Sequence, residues 1–393
     1  MAKTANLFIF LEIFEREGGI QSYVQDILHG YSTLAHQPQA DVFLLRDGTG
    51  CQNPLQVSSL KFHYLKTSPP ALGRLRLAIA LLLYLLRERP QRVFCGHMNL
   101  APLVQMLCRP LGIPYTVITY GKEVWFPLPP APRRALHHAD QIWTISRYSR
   151  DAACASNQLN PHQIQMLPCP VDGDRFTPGA KSPVLLERYG LTGARVLMTV
   201  ARLWSGDIYK GVDVTIRALP AIAAVFPDVK YLVIGRGDDQ PRLANLAHEL
   251  GVADRVVFAG FVPTADLPEH YRLAEAYVMP SQEGFGIVYL EAMACGIPVL
   301  SGDADGSSEP LQDGKLGWQV PHRDPVAVTR ACIEMLKGRE ICRTAPESNE
   351  CDRRCDGQWL RQQSIALFGK EAFVQRLNQI FVSYPDRNPI KKA

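Results

Sequence analysis

Residues 280–298 read Pro-Ser-Gln-Glu-Gly-Phe-Gly-Ile-Val-Tyr-Leu-Glu-Ala-Met-Ala-Cys-Gly-Ile-Pro, and this stretch decides the fold. The apolar residues before it predict a buried strand that ends at Met279, and those from about Ile287 predict a helix. A glycine-containing turn between such a strand and such a helix is typical of a parallel sheet covered by helices on both faces. The free N–H groups of the helix N-terminus, with Gly284 and Gly286 beside them, would let backbone approach a phosphate closely.

The same alternation of strand-like and helical segments occupies most of the 393 residues and occurs in two series. It predicts an α/β fold of two doubly wound, Rossmann-like domains. We place the first domain at residues 1–172, the second at 173–365, and a helix that returns to the first domain at 366–393. The predicted strands are residues 7–14, 41–45, 92–95, 115–119 and 141–145 in the first series, and 196–201, 231–234, 256–259, 276–279, 298–301 and 317–320 in the second.

The composition excludes several classes of protein. Hydrophobic residues make up 47% and charged residues 20% of the chain, which is the mixture of an ordered globular protein and not of a disordered, collagenous or coiled-coil one. The net charge of +4 is too small to indicate binding to nucleic acid. Because the ten cysteines contain no Cys-x-x-Cys pair, we expect neither a disulfide framework nor a zinc site, and we expect a reducing, cytoplasmic location.

Two glutamates flank the predicted anion site. Glu283 lies in the loop at the end of the strand, and Glu291 lies in the first turns of the following helix, from where we expect it to point into the same crevice. Two carboxylates beside a phosphate would repel it unless each faces uncharged hydroxyl groups, which indicates a sugar on either side. The alternative is structural: Glu283 caps the helix, and Glu291 is solvated.

The Glu-x7-Glu spacing of Glu283 and Glu291 resembles the signature of retaining GT-B glycosyltransferases of the GT4-like group, and the resemblance extends over nearly the whole chain. It implies a GT-B fold, in which two Rossmann-like domains face a central cleft and the second holds a nucleotide-diphosphate sugar. Arg202, in Ala-Arg-Leu, and Lys210, in Tyr-Lys-Gly-Val-Asp, resemble the family's basic pair that grips the diphosphate. Two cations at a strand end would neutralise the phosphates and the charge that develops as the glycosidic bond breaks.

The resemblance implies the other site residues as well. His97 is similar to a histidine near the transferred sugar, and its alternative is a structural histidine. Val262 resembles a residue whose backbone borders the nucleobase, and its alternative is an ordinary apolar strand end. The implied catalytic set is Glu283, Arg202, Lys210 and His97, and the implied donor-binding set is Gly18, Gly19, Arg202, Lys210, Val262, Glu283, Gly284, Phe285, Gly286, Ile287 and Glu291.

The resemblance implies retaining transfer of a hexose from a donor of the GDP-mannose or UDP-hexose type to a hydroxyl of a glycan or lipid-linked acceptor, in polysaccharide or glycoconjugate biosynthesis. We expect no cofactor and no metal, because Arg202, Lys210 and the helix N-terminus can do the work of a cation. The alternatives are a nucleotide-sugar epimerase of the same fold and a non-catalytic binding subunit of a polysaccharide assembly complex. Four charged residues that the fold does not require argue against a silent subunit.

One apolar run has two readings. Residues 77–86 are almost continuously apolar and are flanked by arginines, and we expect them to be buried as a helix against the first sheet. The alternative is a basic amphipathic element that attaches the first domain to the inner face of a membrane.

Overall fold

The computed structural model describes residues 6–35, 39–345 and 347–384. It divides into two compact units, which are described separately. Unit 1 comprises Met1–Cys169 with Glu371–Ala393, and unit 2 comprises Pro170–Lys370. Each unit is built on one parallel sheet, as the alternating pattern of the sequence predicts.

Sheet 1, in unit 1, has seven parallel strands in the order β3-β2-β1-β4-β5-β6-β7. The order reverses between β1 and β4, which makes this position the switch point at which ligands of such folds bind. Two strands, β3 and β7, lie outside the predicted series. The strands are β1 (Asn6–Phe10), β2 (Ala40–Leu44), β3 (Leu60–Tyr64), β4 (Val93–Cys95), β5 (Tyr115–Ile118), β6 (Gln141–Thr144) and β7 (Ile164–Met166).

Helices cover sheet 1 through apolar side chains. The central strand β1 is buried along its whole length, and Leu7 and Ile9 on it belong to a core that also contains Leu81 and Leu85. The helices of this unit are α1 (Gly19–Thr33), α2 (Pro70–Glu88), α3 (Ala101–Cys108), α4 (Pro130–His137), α5 (Arg147–Asn157) and, at the end of the chain, α13 (Lys370–Val382).

Sheet 2, in unit 2, has six parallel strands in the order β10-β9-β8-β11-β12-β13, with its switch point between β8 and β11. The strands are β8 (Arg195–Val200), β9 (Val229–Ile234), β10 (Val256–Gly260), β11 (Ala276–Met279), β12 (Val299–Gly302) and β13 (Trp318–Val320). The helices are α6 (Pro183–Arg188), α7 (Val212–Val225), α8 (Gln240–Glu249), α9 (Leu267–Tyr271), α10 (Ile287–Ala294), α11 (Pro325–Thr344) and α12 (Gly357–Phe368).

The structure differs from the sequence expectations at two places. The run 77–86 does form part of a helix, α2, but only Gly73, Leu77, Leu81 and Leu85 of that helix are buried, so burial of the whole run is wrong. The sequence indicated no disulfide framework, and the structure shows one disulfide, between Cys342 and Cys351. Cys342 lies in the last turns of α11 and Cys351 lies after that helix, a pairing that spacing alone did not indicate. No helix in the described ranges is both long and apolar enough to cross a membrane.

Candidate active site

The switch point of sheet 2 carries three of the four charged residues that the sequence singled out in this unit, and the fourth, Glu291, lies buried on α10. Arg202 and Lys210 follow β8, and Glu283 follows the neighbouring strand β11. Carboxyl ends of adjacent parallel strands share one edge of a sheet. Lys210 and Glu283, which are 73 positions apart in the chain, therefore lie within hydrogen-bond distance of each other.

Glycines allow the loops of this edge to pack closely. Gly211 has φ 75°, and a Cβ added there would lie 2.5 Å from the carbonyl oxygen of Pro280. A Cβ on Gly306 would lie 2.1 Å from the carbonyl oxygen of Gly284. Both distances are too short for any side chain, because real Cβ atoms do not approach backbone so closely. The loops after β8, β11 and β12 are therefore held together as one backbone surface.

Lys210 and Glu283 form an ion pair at the centre of this edge. The Lys210 ammonium donates to Glu283 Oε1, and the two side chains are 20% and 15% exposed. The backbone N–H of Glu283 in turn donates to Asp305 Oδ2 at 2.7 Å. Burial raises the pKa of Asp305 to about 6, while hydrogen bonds from Ser307 act in the opposite direction. A buried carboxylate thus fixes the loop that carries Glu283.

Arg202 is held at one edge and open at the other. Its Nε donates to Asp207 Oδ2 at 2.6 Å, and its guanidinium lies 5.4 Å from the ring centroid of Trp204. The Arg202 side chain is 66% exposed, whereas Asp207 is 4% exposed. A guanidinium oriented by a buried carboxylate in this way keeps further N–H donors directed to solvent, where a phosphate can accept from them.

Helix α10 begins directly after the glycine turn, as predicted. Gly286, its N-cap, has φ 93°, a left-handed conformation that favours glycine. Tyr289 fixes the first turn, because its hydroxyl donates to the Met279 carbonyl at 2.7 Å and lies 2.9 Å from the Ser281 hydroxyl. The Phe285 side chain is buried and packs in the core. Gly284, Gly286 and Ile287 line the start of the helix with backbone atoms.

Glu291 does not lie in solvent, so the alternative of a solvated carboxylate is wrong. It is 7% exposed, and its Oε2 accepts a hydrogen bond of 2.7 Å from the Tyr271 hydroxyl. Burial raises the pKa of Glu291 to about 7, although Tyr271 and the charge of Arg175 lower it in part. The side chain is thus a buried carboxyl group with a raised pKa, and it is hydrogen-bonded to a tyrosine of α9.

Val262 lies just beyond the carboxyl end of β10 and its side chain is 8% exposed. Its neighbour Phe261 is 51% exposed, and the guanidinium of Arg236 lies 4.8 Å from the Phe261 ring centroid. Arg236 follows β9, the next strand of the sheet. The end of β10 therefore offers the backbone of Val262 and the apolar ring of Phe261, beside the exposed guanidinium of Arg236.

Gly18, Gly19 and His97 lie in unit 1, at the switch point of sheet 1. Gly18 precedes α1, which Gly19 begins, and His97 follows β4, the neighbour of β1. The His97 ring is half-buried, and its Nδ1 accepts from the backbone N–H of Asn99 at 3.0 Å. Burial, and secondarily the charge of Arg46, lowers the pKa of His97, which favours a neutral imidazole at neutral pH.

The sequence interpretation missed the carboxylates that hold these loops. Asp207 orients Arg202, Asp305 orients Glu283, and Asp47 accepts from the backbone N–H groups of residues 13 and 15 at 2.7 and 2.9 Å. One signal was available: Asp303-Ala-Asp305 is an Asp-x-Asp pair directly after β12, which the expectation of metal independence left out of account. Within the described ranges no group of three or more metal-ligating side chains occurs. Metal independence remains a prediction.

Each of the two units matches the model of a known protein family. The family model described as Glycosyl transferases group 1 matches residues 194–338, and that of the Glycosyl transferase 4-like domain matches residues 18–170. A "GDP-mannose-dependent alpha-(1-6)-phosphatidylinositol monomannoside mannosyltransferase" of Mycolicibacterium smegmatis is 31% identical over 340 residues, which are 82% of this chain and 86% of that protein. A mannosyltransferase of Corynebacterium glutamicum that acts on the monoacylated form of that lipid is 26% identical with the same coverage.

Solved structures agree on the fold. Anabaena Alr3699/HepE in complex with UDP has a TM-score of 0.74 at 19% identity, with 97% of this chain and 100% of that chain covered. Sucrose-phosphate synthase from Thermosynechococcus elongatus has a TM-score of 0.73 at 20% identity, with 97% and 98% covered. The fold and the matched regions define a GT-B glycosyltransferase of the GT4-like class. The chain belongs to the glycosyl transferase group 1 family.

Proposed function

We propose that this protein is a retaining, metal-independent hexosyltransferase that uses a nucleotide-diphosphate sugar and a hydroxyl of a glycan or lipid-linked acceptor. Of the two donor types that the sequence left open, we favour GDP-mannose, because two relatives that match over 82% of this chain are named as GDP-mannose-dependent. The carrying observation is the pre-formed set of cations at the switch point of sheet 2. We assign the donor role to residues 173–365 and the acceptor role to residues 1–172.

The resting ion pairs suggest how the diphosphate binds. Lys210 is paired with Glu283, and both are largely buried, so neither charge stands uncompensated without donor. A diphosphate that takes the Lys210 ammonium would release the Glu283 carboxylate, which can then accept hydrogen bonds from hydroxyls of the hexose. Binding of the donor would thus prepare the carboxylate that holds the sugar.

Arg202 supplies the second cation. Its guanidinium stays on Asp207 through Nε and Nη2 and offers its remaining N–H groups to phosphate oxygens. Together with Lys210 and the N–H groups at the start of α10, it would stabilise the charge that grows on the leaving diphosphate. The chain's own groups therefore suffice for the charge that a metal neutralises in other transferases.

Glu291 is assigned to the ribose. Its Oε2 is bonded to Tyr271, and its second oxygen can accept from a ribose hydroxyl. The family resemblance implies departure and attack on the same face of the sugar, assisted by the leaving phosphate, which would retain the configuration, and no protein nucleophile is evident in the sequence. The roles of Gly18, Gly19, His97 and Val262 are carried by that resemblance and are part of the proposal.

The test is a panel of GDP-mannose, UDP-glucose and ADP-glucose, scored for donor hydrolysis and for thermal stabilisation of the full chain. We expect GDP-mannose to be hydrolysed and to raise the melting temperature more than the other two. A product whose anomeric configuration is inverted, or the same response to all three donors, would contradict the proposal.

A further inference from the structure

Helix α2 has two apolar faces, and only one of them is covered. Gly73, Leu77, Leu81 and Leu85 face the core of unit 1. On the other side, six large apolar side chains are between 40% and 60% exposed. They are Leu72, Leu75, Ile79, Leu82, Leu83 and Leu86. At 3.6 residues per turn these six positions fall within an arc of roughly 100°, so they form one continuous stripe.

An apolar stripe of this kind indicates a surface that is covered in use. Single exposed apolar residues are ordinary, but a contiguous patch marks an interaction surface. The stripe is part of the folded scaffold, because the opposite face of the same helix packs into the core. It therefore offers a preformed surface and needs no unfolding of the unit to be reached.

The charges around the stripe select its partner. Arg76 and Arg87 are exposed on the helix and Arg89 at its C-cap, and the acidic residue Glu88 lies 3.1 Å from Arg87. On a helical wheel Arg76 and Arg87 lie along one border of the stripe, about 20–40° from its edge. A row of apolar side chains bordered by arginines matches the boundary of an anionic bilayer, where acyl chains lie beneath negative headgroups.

A second copy of the chain fits less well. An antiparallel twofold pair of stripes would place the arginine border of one helix opposite that of the other, and a parallel pair would offer Arg76 and Arg87 no acidic partner, because Glu88 lies outside the stripe. Like charges at the rim of an apolar interface oppose association. We therefore propose that the exposed stripe of α2 docks this protein on the surface of an anionic phospholipid bilayer, with Arg76 and Arg87 at the headgroups.

This proposal deepens the proposed function, since a lipid-linked acceptor would lie at that surface, but its test uses no donor. The full chain is co-sedimented with vesicles of phosphatidylcholine alone and with vesicles that contain one third phosphatidylglycerol. We expect binding to the anionic vesicles that salt weakens, because both apolar insertion and charge contribute. Failure of donor turnover with intact vesicle binding would affect only the proposed function.

Variants separate the two contributions. Leu75→Gln/Ile79→Gln/Leu83→Gln should lower partition onto anionic vesicles by about tenfold or more. The matched control replaces three exposed valines of unit 2, Val184, Val225 and Val326, with glutamine and should partition like the wild type. Arg76→Gln/Arg87→Gln keeps the stripe and should lose the preference for anionic over neutral vesicles. Melting temperatures and GDP affinity of the α2 variants should match those of the wild type, since the replaced residues are exposed.

Three results would overturn the proposal. The wild type could stay in the supernatant with both kinds of vesicle, or the stripe and control variants could bind vesicles equally. In the third result, the wild type binds no vesicles, light scattering shows that it is a dimer, and the stripe substitutions convert it to monomers. That result would assign the stripe to a contact with a second copy of the chain.

Discussion

The two switch points share a topology and differ in their chemistry. In both sheets a buried aspartate accepts backbone N–H bonds from a loop: Asp47 from the loop after β1, and Asp305 from the loop that carries Glu283. At sheet 2 the loops then present paired charges, Lys210 with Glu283 and Arg202 with Asp207. At sheet 1 the corresponding residues are two glycines and a half-buried histidine whose pKa is lowered. The residues that the resemblance singles out are thus charged at sheet 2 and uncharged at sheet 1, where other charge pairs occur, Glu12 with Arg46 and Glu15 with Lys66.

We expect the largest loss of activity when a cation at sheet 2 is removed. Lys210→Ala and Arg202→Ala should each lower donor turnover by a factor of about 30 to 10³, since a charge-assisted contact that strengthens in the transition state contributes on the order of 2–4 kcal/mol. Initial rates with GDP-mannose measure the effect. The control is Lys337→Ala, an exposed lysine of unit 2 on α11, which should turn over normally. Turnover within a factor of two of the wild type in both site variants would remove these residues from the active site.

The corresponding change at sheet 1 should act on a different step. His97→Ala should lower turnover by roughly tenfold or more and leave the affinity for GDP unchanged, because a residue that meets only the sugar contributes nothing to binding of a nucleotide without one. Rates and calorimetry on the same preparation measure both. A loss of GDP affinity as large as that of Lys210→Ala would erase the difference between the two edges.

A pH effect on stability should come from sheet 2. The pKa of Glu291 is raised by burial from an ordinary value near 4.5 to about 7, so the folded state binds the proton more tightly than the unfolded chain. Its protonation therefore favours folding below about pH 4.5, and this contribution is lost as the pH rises through about 7, by roughly 3 kcal/mol in all. Melting temperatures of Glu291→Gln should fall less between pH 5 and 8 than those of the wild type. Parallel curves for the two proteins would mean that Glu291 titrates as an ordinary glutamate.

The smallest expected effect is that of a chelator. Activity should persist in excess EDTA, because Arg202, Lys210 and the start of α10 supply the positive charge. Asp303 and Asp305 make this worth measuring, and Asp303→Asn tests the pair while leaving Asp305 on the loop that carries Glu283. Loss of activity in EDTA that Mg²⁺ or Mn²⁺ restores would show that sheet 2 depends on a metal after all.

The sequence predicted the parts of the fold that periodicity controls. Two doubly wound sheets, and the strand, turn and helix around Glu283, follow from local pattern and glycine placement. Strand β3 was missed because it lies at the edge of its sheet, where Lys61 and His63 interrupt the apolar pattern. Burial of the whole run 77–86 was preferred over the exposed alternative, and wrongly, because a helix that is apolar on both sides has the same sequence whether one side or both are covered.

The sequence could not predict which side chains pair with each other within the site, for a different reason. The pairing of Lys210 with Glu283 and of Tyr271 with Glu291 depends on how loops from separate strands meet. The disulfide between Cys342 and Cys351 likewise depends on how the chain turns after α11. A motif shows that a charged residue is present, whereas its neighbour is set by the tertiary structure.

Calorimetry with GDP alone, on Glu283→Gln and Glu291→Gln, tests most directly that the diphosphate binds at sheet 2 between two carboxylates with different duties. Glu291→Gln should weaken GDP binding by about tenfold, because the ribose loses an acceptor. Glu283→Gln should not weaken it, since the substitution only frees Lys210 for the phosphates, while donor turnover falls. An exposed glutamate of α8, changed in Glu249→Gln, is the control and should behave as the wild type. Equal losses of GDP affinity in the Glu283 and Glu291 variants, or none in either, would contradict the account.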